Sequence, residues 1–165
     1  MLTGDTLFIG DVGRPDLFAS GWTPAALALT HLITVGFMMQ VMLGAMQQLL
    51  PVMAGANMAR PLLVATVVHA CITVGGVLLV SAFLTSQPWL FGSAVFFLFS
   101  GIVTFVVAAA LALHGVPVTS PIIRGLRLGL VGMSVTVGIG LLNAVSMGWS
   151  LGVPLVKLTN VHLGW

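Results

Sequence analysis

The sequence predicts an all-α protein, a polytopic membrane helix bundle with four transmembrane helices plus the start of a truncated fifth. Three observations predict it. Of the 165 residues, 59% belong to the apolar set and 20 more are Gly, while charged residues make up 5%, against about 25% in an ordinary soluble domain. The mean hydropathy of +1.19 leaves too little polar surface to face water. Charge is also absent from 17–59, 61–123 and 128–156, runs that exceed the ~20 apolar residues a spanning helix needs. A soluble enzyme domain, a disordered tail and a nucleic-acid binder are therefore excluded. The net charge of +2 reflects scarce acids, not a basic patch. It implies no nucleic acid; the partner that the composition implies is the lipid bilayer.

The chain divides into a polar extramembrane tail, 1–20, and a transmembrane domain, 21–165. All three acids, Asp5, Asp11 and Asp16, lie in the tail beside Arg14. The tail has no basic region followed by an apolar one, so it is not a signal peptide. Helices are expected near 24–50, 61–85, 89–113 and 124–148. Thr23-Pro24 opens the first as an N-cap followed by Pro at the first helical position, and Pro51 is expected to close it. Arg60-Pro61 opens the second. The charge-free run after it must hold two helices, and it breaks at Ser86-Gln87-Pro88, where Pro removes a backbone donor. His114-Gly115-Val116-Pro117 ends the third with Gly and then Pro. Trp22, Trp89 and Trp149 mark one interfacial level. Asn160-Val161-His162-Leu163-Gly164-Trp165 resumes an apolar pattern as the beginning of the fifth helix.

Polar side chains at membrane depth are functional candidates with structural rivals. At 100° per residue, His31, Met38, Met42 and Leu49 share one stripe of the first helix, and Gly36, Gln40, Gly44 and Gln47 share the opposite one. Small residues and amides on the second stripe suit close helix contact and cross-helix hydrogen bonds. The stripe Gly129, Gly132, Thr136, Gly140, Asn143 and Met147 of the fourth helix reads the same way. On the second helix Ala65, Thr66, His69, Thr73 and Gly76 form a small, polar face directed inward. Cys71 has no intrachain partner and reads as a small buried hydrophobe.

Four His stand against no acid beyond Asp16 and no Tyr. Proton relays in membranes usually use carboxylates, whereas a neutral imidazole is a common metal and haem ligand. His31 and His162 fall at similar depths near the tryptophan end and are expected to be neighbours, with His69 a third candidate cofactor ligand. His114 is expected at the opposite interface. The rival for His31 is a hydrogen bond to a backbone carbonyl, to Asn160 or to Thr159.

Two stretches resemble known families. Leu2 to Leu17, with Thr3-Gly4-Asp5 and Gly10-Asp11-Val12-Gly13-Arg14-Pro15-Asp16, closely resembles a segment of metallo-β-lactamase-fold enzymes of the persulfide dioxygenase type. That resemblance makes Asp5 a metal ligand. The family's His-x-His-x-Asp-His run is absent, and one carboxylate does not make a site that needs several ligands, so the match implies a fusion or a join. Across 23–165, Thr30-His31-Leu32, Gly36-Phe37, the run Gly44-Ala45-Met46-Gln47-Gln48-Leu49-Leu50-Pro51-Val52 and Asn160 to Trp165 resemble bacterial multi-helix membrane proteins similar to haem–copper oxidase subunit I and NnrS-type proteins. What this resemblance implies is haem or a metal held by His31 and His162.

The resulting expectation is an integral membrane protein, a fragment of a haem- or metal-binding redox protein, without catalytic activity of its own. Missing C-terminal helices or partner subunits would supply the remaining ligands. The alternative is a non-catalytic or transport-type membrane protein with structural His; a metallo-hydrolase fragment is the remote one. Arg60, Arg124 and Arg127 at one end, against Arg14 and Lys157 at the other, place the N-terminus on the periplasmic side of a bacterial inner membrane.

Overall fold

A computed structural model of the protein describes residues 23–117, 120–149 and 159–162. Four long helices run up and down: α1 Pro24–Ala54, α2 Pro61–Thr85, α3 Pro88–Leu113 and α4 Pro121–Gly148. A further helical turn covers 159–162, and no strand occurs among the described residues. Each of the four is long and apolar enough to cross a bilayer, and only 11–33% of its most apolar window is buried within the chain. Leu62, Val52, Leu111 and Leu128 are among the most exposed apolar side chains. Such a surface is stable against lipid tails and unstable against water. This is a multi-pass membrane protein. The expected tail 1–20, with Asp5, lies outside the described residues.

Local chemistry sets the helix limits. Thr23 accepts a hydrogen bond from the Ala26 amide at 3.2 Å and Pro24 takes the first helical position. Ser120 accepts from the Ile122 amide at 3.1 Å ahead of Pro121, so α4 begins three residues before the expected 124. Ser120-Pro121 is the same cap pair as Thr23-Pro24. Pro51 does not end α1. Its fixed φ is a helical value and its only loss is one amide bond, so the helix continues to Gly55, whose φ of 61° provides the left-handed stop. The amides of Gly55 and Ala56 then bond back to Pro51 and Leu50.

Within α1, residues Leu32–Met39 form a π-helical segment between two α-helical ones, Pro24–His31 and Gln40–Ala54. Wide turns of this kind loosen the regular ladder and recur at functional sites. The segment divides α1 by contact as well. The part before Gln40 packs on α2 and its backbone stays beyond 8 Å of α4, whereas Gln40–Ala54 approaches α2, α3 and α4. The first and last helices therefore meet at the arginine end and separate toward the tryptophan end.

The closest seam is between α2 and α3. A Cβ on Gly75 would stand 2.7 Å from Leu98 Cγ and 3.0 Å from its backbone nitrogen, and one on Gly101 would stand 2.9 Å from Cys71 Cβ. Ile72, Leu79, Ala82, Ala94, Ile102 and Phe105 fill the seam. Cys71 is half-buried in this packing, which fits its reading as a small hydrophobe. Arg127 donates from Nη2 to the carbonyls of Leu113 at 3.0 Å and Val116 at 2.8 Å, tying α4 to the frayed end of α3.

Gly75→Ala is expected to lower stability by about 1–3 kcal/mol, because the new methyl meets backbone. Gly125→Ala, where nothing lies within 4 Å, should stay within about 1 kcal/mol of the parent. Denaturant titration of the full chain in detergent micelles, followed by circular dichroism, checks both.

Candidate functional site

The separation of α1 from α4 leaves a cavity of about 560 Å³ at the tryptophan end, within the range of ~300–1,000 Å³ typical of small-molecule and cofactor sites. α1 contributes His31, Thr34, Met38 and Met42, and α4 contributes Met133, Thr136, Gly140, Asn143 and Met147. Phe83 of α2 and Ile102 of α3 close the back, and Thr159 and His162 reach in from the last described turn. His31 and His162, 131 positions apart in sequence, thus line one cavity, as their depths led us to expect.

His31 Nδ1 lies 2.8 Å from the Leu27 carbonyl. A carbonyl only accepts, so Nδ1 carries the proton and Nε2 keeps its lone pair. The backbone-carbonyl rival foreseen for His31 is therefore made, on its own helix. It satisfies one ring nitrogen and fixes the tautomer, which is how ligating imidazoles are commonly oriented. The ring also lies on Phe83, with centroids 4.9 Å apart and planes tilted by 40°, and Phe83 in turn meets Phe91 edge-on at 5.6 Å. Together the Leu27 carbonyl and the Phe83 ring hold the imidazole in one orientation.

The His162 ring rests against Gly140, where a Cβ would approach its Cε1 to 2.9 Å. Its Nδ1 is buried and has no hydrogen-bond partner among the described residues. Asn143, 8% exposed, leaves Oδ1 equally without a described partner. By contrast Thr34 and Thr136 donate to the carbonyls of Thr30 and Gly132, each at 2.9 Å. Among the described residues, the buried polar atoms of the cavity left without a partner are thus His162 Nδ1 and Asn143 Oδ1. Much of the remaining wall is methionine and aliphatic, with Phe83, threonines and glycines among it.

The small-residue stripe of α4 differs from its expected role. Nothing lies within 4 Å of a Cβ built on Gly129 or Gly132. At Gly129 the missing side chain leaves room for the cavity, and the tight approach on this stripe is at Gly140, against His162; Gly75 and Gly101 make the close approaches between α2 and α3. Asn143 was read as packing and is cavity wall. A lone amide in an apolar span could have flagged it.

His69 was expected to face inward and is exposed. It lines a smaller pocket of about 160 Å³ with Gln40, Gly44 and Gln47. α1 leans toward α3 and α4 there and leaves that face of α2 uncovered. The two glutamines do bond across to α2, Gln40 Nε2 to Thr73 Oγ1 at 3.3 Å and Gln47 Nε2 to the Pro61 carbonyl at 2.6 Å. His114 is exposed at the end of α3, as expected.

Among the described residues no three His, Cys, Asp or Glu side chains come together, so they assemble no protein-only tetrahedral metal site. One or two imidazoles do meet the needs of a macrocycle that brings its own four equatorial ligands. In comparisons with known proteins no family model matches the chain, and neither does any curated protein or solved structure. Fold and cavity alone therefore define the class, a multi-pass membrane protein with a His- and Met-lined chamber near one face.

Gly140→Val should expel the His162 ring from its notch. Amide hydrogen exchange of 159–162 is then expected to accelerate clearly, while exchange in α2 and α3 stays unchanged. Mass spectrometry of the full chain in micelles or nanodiscs makes the measurement.

Proposed function

We propose that the chain forms the cofactor-holding part of a membrane redox protein, with His31 Nε2 as the ligand to a haem iron and His162 as the second imidazole. One observation carries this reading. Two imidazoles from distant parts of the sequence line a single apolar cavity, and the first has its other nitrogen fixed by Leu27. A bare imidazole nitrogen in hydrocarbon lacks the partner that water would give it, at a cost of about 1–3 kcal/mol, and a metal centre supplies one. Haem would contribute one-electron redox chemistry. The protein's own residues would orient the ligand, exclude water through Met38, Met42, Met133 and Met147, and leave the cofactor edge open between α1 and α4.

The reading accords with the resemblance of 23–165 to haem–copper oxidase subunit I and NnrS-type proteins. It also places Arg60, Arg124 and Arg127 in the cytoplasm and the cavity near the periplasmic face of a bacterial inner membrane.

The Leu27 bond favours one rival, in which His31 is a structural residue of a transport-type or non-catalytic protein and His162 packs without a ligand. The visible spectrum separates the two. Protein purified from haem-replete cells is expected to carry a Soret band and about one haem per chain. His31→Ala should lose both, and His114→Ala should keep both. Absence of haem in the parent protein, or an unchanged spectrum in His31→Ala, favours the structural role.

A further inference from the structure

The smaller pocket has chemistry of its own, on a different part of the molecule from the haem reading. Gln40 donates Nε2 to the Gly36 carbonyl at 2.9 Å as well as to Thr73. Since a carbonyl only accepts, the carboxamide cannot be turned round, and Oε1 is the atom left buried without a donor among the described residues. Gln47 is held the same way, its Nε2 on the Pro61 carbonyl, so its Oε1 is also left as an acceptor. The His69 ring makes no hydrogen bond to any described residue. Three polar groups thus surround about 160 Å³ of space, many times the ~10–15 Å³ that one water requires.

The pocket also has a route to bulk water. Gln47 stands level with Pro61, the first residue of α2, where the span meets the aqueous face beside Arg60. Gln40 lies seven residues deeper on α1, about 10 Å further along the axis, and His69 lies eight residues into α2, about 12 Å from its start. Gly44 sits between the glutamines with nothing within 4 Å of a Cβ position. Hydrocarbon cannot satisfy these groups, and leaving them bare costs free energy for each. Polar side chains inside a span characteristically face the bundle interior or a water-filled cavity.

We infer that the groove between α1 and α2 at the arginine end is a water-filled vestibule. Water enters past Gln47, is shared between the glutamine carboxamides and His69, and ends at Gln40 and Thr73. Water thereby meets the His69 ring although it lies inside the span, and reaches about a third of the way across a hydrocarbon core of ~30 Å.

Thiol accessibility in proteoliposomes of the full chain tests this. Cys71 is the single cysteine, and Cys71→Ala retains the Cβ that meets Gly101. In that background Gly44→Cys and His69→Cys are each treated with a membrane-impermeant cationic methanethiosulfonate from the arginine side. Asn57→Cys serves as the loop reference. Val67→Cys, on the exposed apolar side of α2, serves as the lipid-facing control. Gly44→Cys and His69→Cys should react within about tenfold of the loop reference and Val67→Cys about a hundredfold slower, because only a hydrated thiol ionises to the reactive thiolate. If both pocket thiols react as slowly as Val67→Cys, the groove is covered by lipid or another helix and the inference fails. It fails equally if Val67→Cys reacts as fast as they do. The outcome does not depend on whether haem is bound at His31.

Discussion

The close approach of α2 and α3 at Gly75 and Gly101 is the contact on which the arrangement of the bundle depends. Lipid tails are as apolar as leucine, so burial of hydrophobic surface does little to hold these helices together, and shape complementarity must do it. Two missing Cβ atoms let the backbones meet Leu98 and Cys71 directly. α1 is then laid against α2 and α4 against α3. α1 and α4 converge only at the arginine end, where Gln40–Ala54 approaches α4 and Arg127 ties α4 to the end of α3. Both cavities follow from that geometry. One forms where α1 and α4 separate, the other where α1 leans off α2.

Polar side chains inside the span obey the same hydrocarbon constraint in two ways. Most hydroxyls, among them those of Thr34, Ser81, Ser100 and Thr136, donate to the carbonyl four residues earlier. This neutralises a polar group without any tertiary partner. Ser146 aside, the buried polar atoms left without a partner among the described residues belong to side chains that line cavities. His31 uses one nitrogen on Leu27 and leaves the other, Gln40 uses its amine side and leaves its oxygen, and Asn143 leaves Oδ1. In a medium without water, these atoms are the ones that bear the cost of going unpaired.

Several features were legible from residue types and spacing. Charge-free runs located four spans, and the limits 61–85 were correct because Arg60-Pro61 and Ser86-Gln87-Pro88 are strong punctuation. The limit at Pro51 was misplaced because a proline near a helix end loses only one bond, while Gly55 with its left-handed φ provides the true stop. Ser120-Pro121 was overlooked beside the more conspicuous Arg124. That His31 and His162 line one cavity accords with their similar depth, which rise per residue fixes. The direction faced by His69 was not, because a 100° wheel gives relative positions on one helix and says nothing about which neighbour covers them.

Sequence alone therefore determined that this is an all-α, multi-pass membrane protein, where its helices lie, and which few polar groups sit at membrane depth. These properties depend on composition and on spacing along one axis. The tertiary structure decided what a stripe of glycine means. At Gly75 and Gly101 a missing Cβ lets α2 and α3 come together; on α4 the small face that includes Gly129 and Gly140 borders a chamber of about 560 Å³ in front of two imidazoles. A glycine reads the same in sequence in both cases. The difference lies in the angle at which the neighbouring helix passes, which is fixed by the whole set of packing contacts and by no single segment.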